Sequence, residues 1–269
     1  MSKLVVKNVT LNYANGNKSN TTALENVNFS VGDGEFLSII GPSGCGKSSI
    51  LNLFTGLLSA SEGEILLNGK TISGTGLDRG VVFQHYSLFP WMSAKKNISF
   101  ALRQSFPSKS KKELTRIAED YLGAMGLKGF EDKFPAELSG GMQQRVAIAK
   151  ALAMDTDVIL MDEPFGAVDS KTRVVLQDKL LKMWDNGEQK KTVVFITHDI
   201  DEAIFLSDRI IVMSSGPGRV KREIAVNFAR PRDRISLTKD AEYAHLRNEI
   251  VSLFYDDLAS KIGGEEVVL

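Results

Sequence analysis

The sequence predicts an α/β protein in which helices flank a mostly parallel sheet. Residues 35–40, 158–161 and 192–197 are strongly apolar, which is typical of strands buried on both faces. Segments of helical composition separate these strands along the chain. Strands and helices that alternate in this way favour a parallel sheet covered on both faces, and 269 residues fit one large domain or a domain with a subdomain.

In the first third of the chain, side-chain alternation predicts short strands around one helix. Residues 4–11 alternate between apolar and polar side chains and are predicted to form the first strand. Further strands are predicted at residues 23–31, 63–68 and 81–84. The helix is predicted at residues 49–55, directly after a glycine-rich turn.

The middle of the chain is predicted to be mostly helical. Residues 93–127 are rich in Lys, Glu, Ala and Leu, and we interpret them as a helical insertion with one break near residues 106–110. Two more helices are predicted, at residues 140–154 and at residues 170–184. In the second, Leu176, Leu180 and Met183 lie on one helical face.

The last third is predicted to end in a helix. A helix from residue 201 to 206 and a strand at 210–213 complete the predicted core. Residues 230–233 are interpreted as a linker, and apolar side chains from residue 246 onward recur at helical spacing. This terminal helix is expected to pack on its own domain, with dimerisation or regulation as the alternatives.

Composition limits the functions that the chain can have. Lys plus Arg and Asp plus Glu both number 33, so the formal net charge is zero, which argues against a general nucleic-acid binder. Cys45 is the single cysteine, which excludes an internal disulfide and fits a reducing compartment. Residues 1–16 lack the apolar core of a signal peptide, and no apolar stretch is long enough to span a bilayer. Any work at a membrane would therefore require another subunit.

Residues 41–48, GPSGCGKS, fit the phosphate-binding pattern G-x-x-x-x-G-K-[ST]. Glycines let backbone N–H groups turn towards phosphate oxygens, and the N-terminus of the following helix adds about half a positive charge. Lys47 can reach the β- and γ-phosphates, and the Ser48 hydroxyl can bind Mg²⁺. The pattern lies between a predicted strand and a predicted helix, as this chemistry requires.

Residues 158–164, VILMDEP, form an apolar strand that ends in two carboxylates. Asp162 is placed to hold Mg²⁺ directly or through water. Glu163 would face the γ-phosphate and polarise an attacking water, a contribution of typically about 10²–10⁴-fold. An acidic turn before a proline is the structural alternative, and the phosphate loop elsewhere in the chain makes it much weaker.

Residues 138–145, LSGGMQQR, place a Ser-Gly-Gly turn at the start of a helix, which is a second anion-binding element. The stretch resembles the signature motif of ABC ATPases, which is specific to that family. The resemblance implies that Ser139, Gly140, Gly141 and Gln143 reach the γ-phosphate of ATP held by a partner subunit. Two chains would then meet head to tail with two ATP molecules between them.

Other family marks follow in order, and the resemblance extends to about residue 213. Gln84 resembles the Q-loop glutamine, which touches Mg²⁺ or the water and senses the transmembrane partner. His198 resembles the switch histidine at the γ-phosphate, and Tyr13 the aromatic ring that stacks on adenine. Residues 167–169, AVD, resemble the D-loop that crosses the dimer interface, with Val168 in place of the usual leucine.

The resemblance thus implies a complete set of site residues. Catalytic roles would fall to Lys47, Gln84, Glu163 and His198, and Mg²⁺ would bind Ser48, Gln84 and Asp162. The residues expected to bind ATP are Tyr13, Gly41, Pro42, Ser43, Gly44, Cys45, Gly46, Lys47, Ser48, Ser49, Gln84, Ser139, Gly140, Gly141, Gln143 and Asp169.

The resemblance also implies an architecture and partners. We expect a P-loop NTPase core at residues 1–230, with an N-terminal antiparallel β subdomain and an α-helical signature-motif subdomain at about 90–155. Residues 231–269 would be a C-terminal helical extension. The expected partners are a second ATPase subunit, most simply a copy of this chain, and membrane permease subunits, with a substrate-binding protein acting indirectly. The expected location is peripheral, on the cytoplasmic face of the cell membrane.

Short stretches indicate a subfamily. Residues 82–84 (VFQ), 88–91 (LFPW), 216–219 (GPGR) and 230–233 (RPRD) resemble importer ATPases for nitrate, sulfonates, taurine and related small anions. The alternatives are a soluble ABC ATPase that is not coupled to transport, a small-molecule P-loop kinase, and a nucleotide-binding scaffold. A kinase would not need the signature motif, and a scaffold would not need the glutamate and histidine of the site.

Three features carry weaker hypotheses. Cys45, in the phosphate loop at a helix N-terminus, could be a redox switch, but a small side chain tolerated there is the favoured interpretation. His85 is interpreted as a groove-lining side chain. Leu88, Phe89 and Trp91 either line a groove for a helix of the membrane subunit or belong to the subdomain core.

Overall fold

A computed structural model describes residues 2–15, 18–84, 86–166, 168–185 and 190–262, without the side chains of residues 15, 18–20 and 255–262. His85 and Ala167, both singled out above, lie outside the described residues. The chain forms two compact units, one of Met1–Thr75 with Val194–Leu269 and the other of Gly76–Val193. Each unit is described by itself below.

The predicted elements occur in the predicted order, and four short elements occur in addition, at Lys70–Thr71, Pro135–Glu137, Arg219–Ala225 and Arg234–Leu237. In chain order they are β1 (Ser2–Asn15), β2 (Lys18–Gly32), β3 (Phe36–Ile40), α1 (Lys47–Thr55), β4 (Glu62–Leu67), β5 (Lys70–Thr71), β6 (Arg79–Val82), α2 (Ala94–Ser105), α3 (Lys111–Ala124), a 3₁₀ turn (Pro135–Glu137), α4 (Gly140–Ala153), β7 (Val158–Asp162), α5 (Ser170–Asp185), β8 (Thr192–Ile196), α6 (Ile200–Leu206), β9 (Arg209–Ser214), β10 (Arg219–Ala225), α7 (Arg234–Leu237) and α8 (Ala241–Ile262).

The first unit contains an antiparallel sheet in the order β2-β1-β4-β5. Strands β1 and β2 pair so that Val6 lies opposite Phe29, and β1 pairs with β4 so that Val6 also faces Ile65. Leu4 and Val6 are buried at alternate positions of β1, and after a register shift Val9 and Leu11 continue the buried face. This alternation predicted the strand, and the sheet confirms the expected N-terminal β subdomain.

The same unit contains strands in the order β10-β9-β3-β8. Strands β3 and β9 are parallel, and β10 runs antiparallel to β9 at the edge. Every residue of β3 and β8 is buried, as expected for apolar strands covered on both faces. Because Thr197 N donates to the Ile39 carbonyl at 3.3 Å, the ends of β8 and β3 lie at one edge of the sheet.

The second unit joins the parallel pair β6 and β7 to helices α2 to α5. Leu102, Leu114, Leu122 and Val146 are buried side chains of its helical part. The break predicted near residues 106–110 separates α2 from α3, and Ser110 and Glu113 form a capping box at the start of α3.

Two of the differences from the sequence expectations concern β10 and β6. Strand β10 was not predicted, because its four charged residues interrupt the apolar pattern of a buried strand. Strand β6 ends at Val82, so Gln84 lies two residues beyond the strand rather than at its last position. Among the described residues, no helix is both long and apolar enough to cross a membrane.

Candidate active site

The phosphate loop connects β3 to α1 in the first unit. Gly46 is the N-cap of α1, and since no side chain caps the helix, the N–H groups of its first turn face no side-chain acceptor there. Ser43, Gly44 and Ser48 are exposed, whereas Gly41 and Cys45 are buried. The loop therefore presents uncapped donors and a hydroxyl on its open side, which is the arrangement that binds phosphate.

Two glycines of the loop adopt conformations that favour glycine. Gly44 and Gly46 have φ angles of 79° and 90°, in the left-handed region. A Cβ atom on Gly46 would lie 2.5 Å from Leu24 Cδ2, and one on Gly41 would lie 2.6 Å from Cys45 Sγ. These close approaches explain physically why the motif requires glycine at positions 41 and 46.

Lys47 is buried, and its ammonium group is held by the loop itself. Its Nζ donates to the carbonyl oxygens of Gly41 at 2.7 Å and Pro42 at 3.1 Å. The Tyr13 hydroxyl lies 3.1 Å from Ser49 Oγ, at the first turn of α1. Tyr13 is 38 % exposed, so its ring is a surface beside the loop on which a base can stack.

Cys45 packs inside the loop. Its side chain is buried, and burial raises the pKa of the thiol although the neighbouring Lys47 acts in the opposite direction. A protonated, buried thiol is a poor nucleophile and a poor target for oxidation. The geometry supports the packing interpretation over the redox switch.

His198 leaves the end of β8 at the same sheet edge as the phosphate loop, and its side chain is exposed. The next residue, Asp199, is the N-cap of α6 and accepts from Glu202 N at 3.0 Å. Thr197 Oγ1 donates to Glu202 at 2.7 Å. Hydrogen bonds on both sides of His198 thus fix the backbone that carries it.

The acidic strand end lies in the second unit. Asp162 is the last residue of β7 and is half-buried, and Glu163 follows with a φ of 42°, which is uncommon for a residue with a side chain. Gln84 Nε2 donates to Glu163 Oε2 at 3.4 Å. Parallel pairing of Val82 with Met161 brings these two residues together across 79 positions of sequence.

The signature stretch begins α4 as predicted. Ser139 is the N-cap, and its hydroxyl accepts from Met142 N at 3.3 Å. Gln143 Nε2 donates to the carbonyls of Pro135 at 3.0 Å and Leu138 at 3.1 Å. In this chain Gln143 therefore stabilises the turn before α4, which is a second role for a residue expected to bind ATP.

Two glycine contacts were missed from sequence. A Cβ on Gly140 would lie 2.8 Å from the Tyr86 hydroxyl, so that position has no room for a side chain unless Tyr86 moves. A Cβ on Gly218 would lie 2.1 Å from the Cys45 carbonyl, so Gly218 packs directly against the phosphate loop. The only sequence signal for these contacts was that Gly140 lies in the signature stretch and Gly218 in the GPGR stretch that resembles the subfamily.

Asp169 caps α5. Its carboxylate accepts from Thr172 N at 3.0 Å, and hydrogen bonds from Thr172 lower the pKa of that carboxyl group. Val168, which replaces the usual leucine, is buried beside the Cβ position of Gly141. Ala167, the first residue of the predicted D-loop, lies outside the described residues.

A family model described as ABC transporter matches residues 24–166, more than half of the chain and including the phosphate loop, the signature stretch and the acidic strand end. This chain belongs to the ABC transporter family. As an ABC ATPase it binds and hydrolyses ATP. The fold expected from sequence is confirmed, because the chain matches ABC cassettes in structure as well.

Relatives match over most of the chain. An uncharacterized ABC transporter ATP-binding protein of Methanocaldococcus jannaschii is 46 % identical over 262 residues, covering 97 % of this chain and 94 % of its own. A bicarbonate transport ATP-binding protein of Synechocystis is 44 % identical, covering 95 % and 90 %. A nitrate import ATP-binding protein of Synechococcus elongatus is 46 % identical, and the match covers 87 % of this chain and 85 % of that protein.

A solved structure agrees with these relatives. The chain matches a dimeric ATP-binding cassette in a post-hydrolysis state, bound to ADP and phosphate, with a TM-score of 0.75 and 37 % identity. The match covers 84 % of this chain and 100 % of that one. The subfamily expected from four short stretches thus agrees with relatives that are named for nitrate and bicarbonate transport.

Proposed function

We propose that this ABC ATPase is the motor subunit of an importer for a small anion, with nitrate and bicarbonate as the first candidates. The observation that carries the proposal is the 44–46 % identity to subunits named for the transport of these two anions. Sulfonates and taurine, also expected from sequence, are further candidates. The soluble alternative is not favoured, because these relatives are transport proteins.

For hydrolysis, we assign the binding of the triphosphate to the phosphate loop. Its uncapped helix N-terminus and the ammonium group of Lys47 would neutralise the phosphate charge, and Tyr13 would stack on adenine. Glu163 would accept a proton from the attacking water, and Gln84, hydrogen-bonded to it at 3.4 Å, would orient that carboxylate. His198 would contact the γ-phosphate.

The donor set also fits Mg²⁺. The Ser48 hydroxyl is exposed at the start of α1, and Asp162 and Gln84 offer carboxylate and amide oxygens, which are ligands that Mg²⁺ prefers. No cluster of three or more His, Cys, Asp or Glu side chains suited to a metal occurs among the described residues. Bound Mg²⁺ would neutralise charge on the β- and γ-phosphates.

We propose a head-to-tail homodimer as the active form. The Ser139 hydroxyl, Gly140 and Gly141 at the start of α4 would bind the γ-phosphate of the partner's ATP, with Asp169 at the interface. The solved cassette to which this chain is similar is a dimer. Closure of the dimer on ATP would drive the transport cycle.

The permease would dock on the helical part of the second unit. Phe89 packs on Trp91 at 5.4 Å and on Phe100 at 5.2 Å between ring centres, and Trp91 is 68 % exposed. A cleft of about 550 Å³ beside this cluster is lined by Phe100 and Met92 with the cations Lys96, Arg103, Lys109 and Lys111. An amphipathic helix with acidic residues at its rim fits this chemistry. This docking would place the ATPase on the cytoplasmic face of the membrane.

Static light scattering of purified Glu163→Gln, with and without Mg²⁺ and ATP, tests the motor assignment. We expect ATP binding with very slow hydrolysis and a shift from monomer to dimer. Glu64→Gln, which changes a 44 % exposed carboxylate outside the site, should behave as the unchanged protein. A monomer with full turnover would refute both the base and the two-chain site.

The cargo can be tested by complementation. The chain would be expressed in cells that lack the ATP-binding subunit of a nitrate importer, and separately of a bicarbonate importer, and uptake of the labelled anion measured. Restored uptake of one anion that depends on Glu163 would support that cargo. Absence of restoration in both, with a stable and active protein, would argue against the subfamily assignment.

A further inference from the structure

The stretch Arg230–Asp233, expected to be a linker, turns back onto the C-terminal end of α6. Arg232 Nη1 donates to the carbonyls of Ile204 at 2.9 Å, Phe205 at 3.0 Å and Ser207 at 2.7 Å. Arg230 donates to the Leu206 carbonyl at 2.6 Å. These are the carbonyls that a helix C-terminus leaves without partners, so the two guanidinium groups complete α6 at this end.

The N-terminal end of α6 is held by α8. The Asp201 carboxylate, in the first turn of α6, accepts from the Tyr243 hydroxyl at 2.7 Å and from Arg247 Nε at 2.9 Å. Tyr243 is buried, and burial together with Asp201 raises its pKa, so its hydroxyl remains a donor at neutral pH. One carboxylate thus links α6 to two side chains of the C-terminal helix.

The C-terminal helix is itself anchored to the unit. Ile250 is fully buried, and Lys221 Nζ on β10 donates to the Leu253 carbonyl at 2.5 Å. Arg222 on the same strand lies 3.7 Å from Glu249 in an exposed ion pair, which contributes little to this anchoring. Helix α8 is therefore a fixed support rather than a free tail, at least as far as residue 254.

Helix α6 needs such support because it has only seven residues. A helix of this length is not stable alone and takes its geometry from tertiary contacts. His198 lies two residues before its first residue and three before Asp201. Any tilt of α6 would therefore move the imidazole that the proposed function places at the γ-phosphate.

We propose that Arg230, Arg232, Tyr243 and Arg247, here called the brace, are positioning residues for ATP hydrolysis that act through α6 on His198. The inference rests on the proposed role of His198. It gives the C-terminal extension a function in the reaction and explains why the RPRD stretch accompanies the ATPase motifs. Tyr243 and Arg247 are the better pair to perturb, because both contact the single carboxylate of Asp201. Arg230 and Arg232 instead donate to four backbone carbonyls at the end of α6, so their loss would be more damaging to folding.

The test uses Tyr243→Phe combined with Arg247→Gln in the full chain. The matched control combines Tyr121→Phe with Arg222→Gln, which removes one phenol hydroxyl and one arginine that contacts α8 without contacting α6. Turnover and KM for ATP are measured with radiolabelled ATP. We expect kcat to fall about fivefold with KM changed by less than about twofold, and the control to match the unchanged protein.

A second measurement separates positioning from loss of structure. The same brace variant is built on His198→Ala, where positioning of the imidazole no longer matters, and we expect it to leave the residual kcat unchanged within about 1.5-fold. In parallel, the ¹³C-labelled imidazole resonance of His198, one of three histidines, should shift in the brace variant and not in the control.

The outcomes are distinguishable. The proposal would be overturned if the brace variant had an unchanged kcat, or if its His198 resonance did not move. It would also be overturned if the brace substitutions lowered kcat equally in the unchanged protein and in His198→Ala. Full turnover of His198→Ala would instead refute the proposed role of the histidine, and with it any effect of the brace on hydrolysis. A shifted resonance in that case would show that the contact is structural.

Discussion

Replacement of Arg232 by methionine tests how much the embedded guanidinium contributes to stability. Methionine keeps most of the apolar stem but removes all the donors to the carbonyls at the end of α6. Burial lowers the pKa of Arg232 to about 10, still well above neutral pH, so the group that is lost is charged. Its bonds are therefore of the stronger, charge-assisted kind.

The magnitude follows from these bonds. Three short bonds at the lower end of the range for charged donors amount to about 4–5 kcal/mol, and relief of the buried charge returns about 1–2 kcal/mol. The expected loss is about 3 kcal/mol of unfolding free energy. For a chain of this size, that corresponds to a fall in Tm of about 6 °C or more.

Differential scanning calorimetry at pH 7 measures this change. Arg222→Met is the control, because the Arg222 side chain is 62 % exposed and its ion pair spans 3.7 Å, so we expect a change within about 0.5 kcal/mol. Arg232→Lys should fall between the two, since one ammonium group cannot reach all the carbonyls. A fall in Tm below about 2 °C for Arg232→Met, or one equal to the control, would refute the reasoning.

Other predictions address the site. Gly218→Ala should weaken ATP binding about tenfold or more, because its Cβ would lie 2.1 Å from the Cys45 carbonyl. Titration calorimetry measures the affinity, and Gly123→Ala is the control, since a Cβ there would have no neighbour within 4 Å. The Cys45 thiol should not react with Ellman's reagent at pH 7 until the protein is denatured, since burial raises its pKa; rapid reaction of the native protein would contradict this. Gln143→Ala should lower the unfolding free energy by about 1–2 kcal/mol through two lost bonds to carbonyls, measured by urea titration; an unchanged midpoint with weaker ATP-driven dimerisation would assign it to nucleotide instead.

The sequence predicted those parts of the fold whose signal is local. Strands β3, β7 and β8 each have four apolar residues among their five, and the break between α2 and α3 coincides with a proline and serines. Strand β10 escaped prediction because an edge strand with several charged residues has the composition of a loop. Its identity depends on pairing with β9, which no local pattern encodes.

The site shows the same division. The phosphate loop and the Ser139 cap were predictable because contiguous residues build them, and their chemistry fixes their spacing. The hydrogen bond between Gln84 and Glu163 joins residues 79 positions apart, and only the parallel pairing of β6 with β7 brings them together. A motif scan names both residues but cannot state that they touch.

The stretches GPGR and RPRD show why short subfamily marks can be physically meaningful. Neither contains a group expected to touch ATP, and the sequence offers no reason for either. In the structure, Gly218 lies against the carbonyl of Cys45 in the phosphate loop, and Arg232 closes the helix that follows His198. Each mark thus supports an element that carries a proposed ATP contact. Substitutions in these stretches should therefore change hydrolysis without changing any residue that touches the nucleotide.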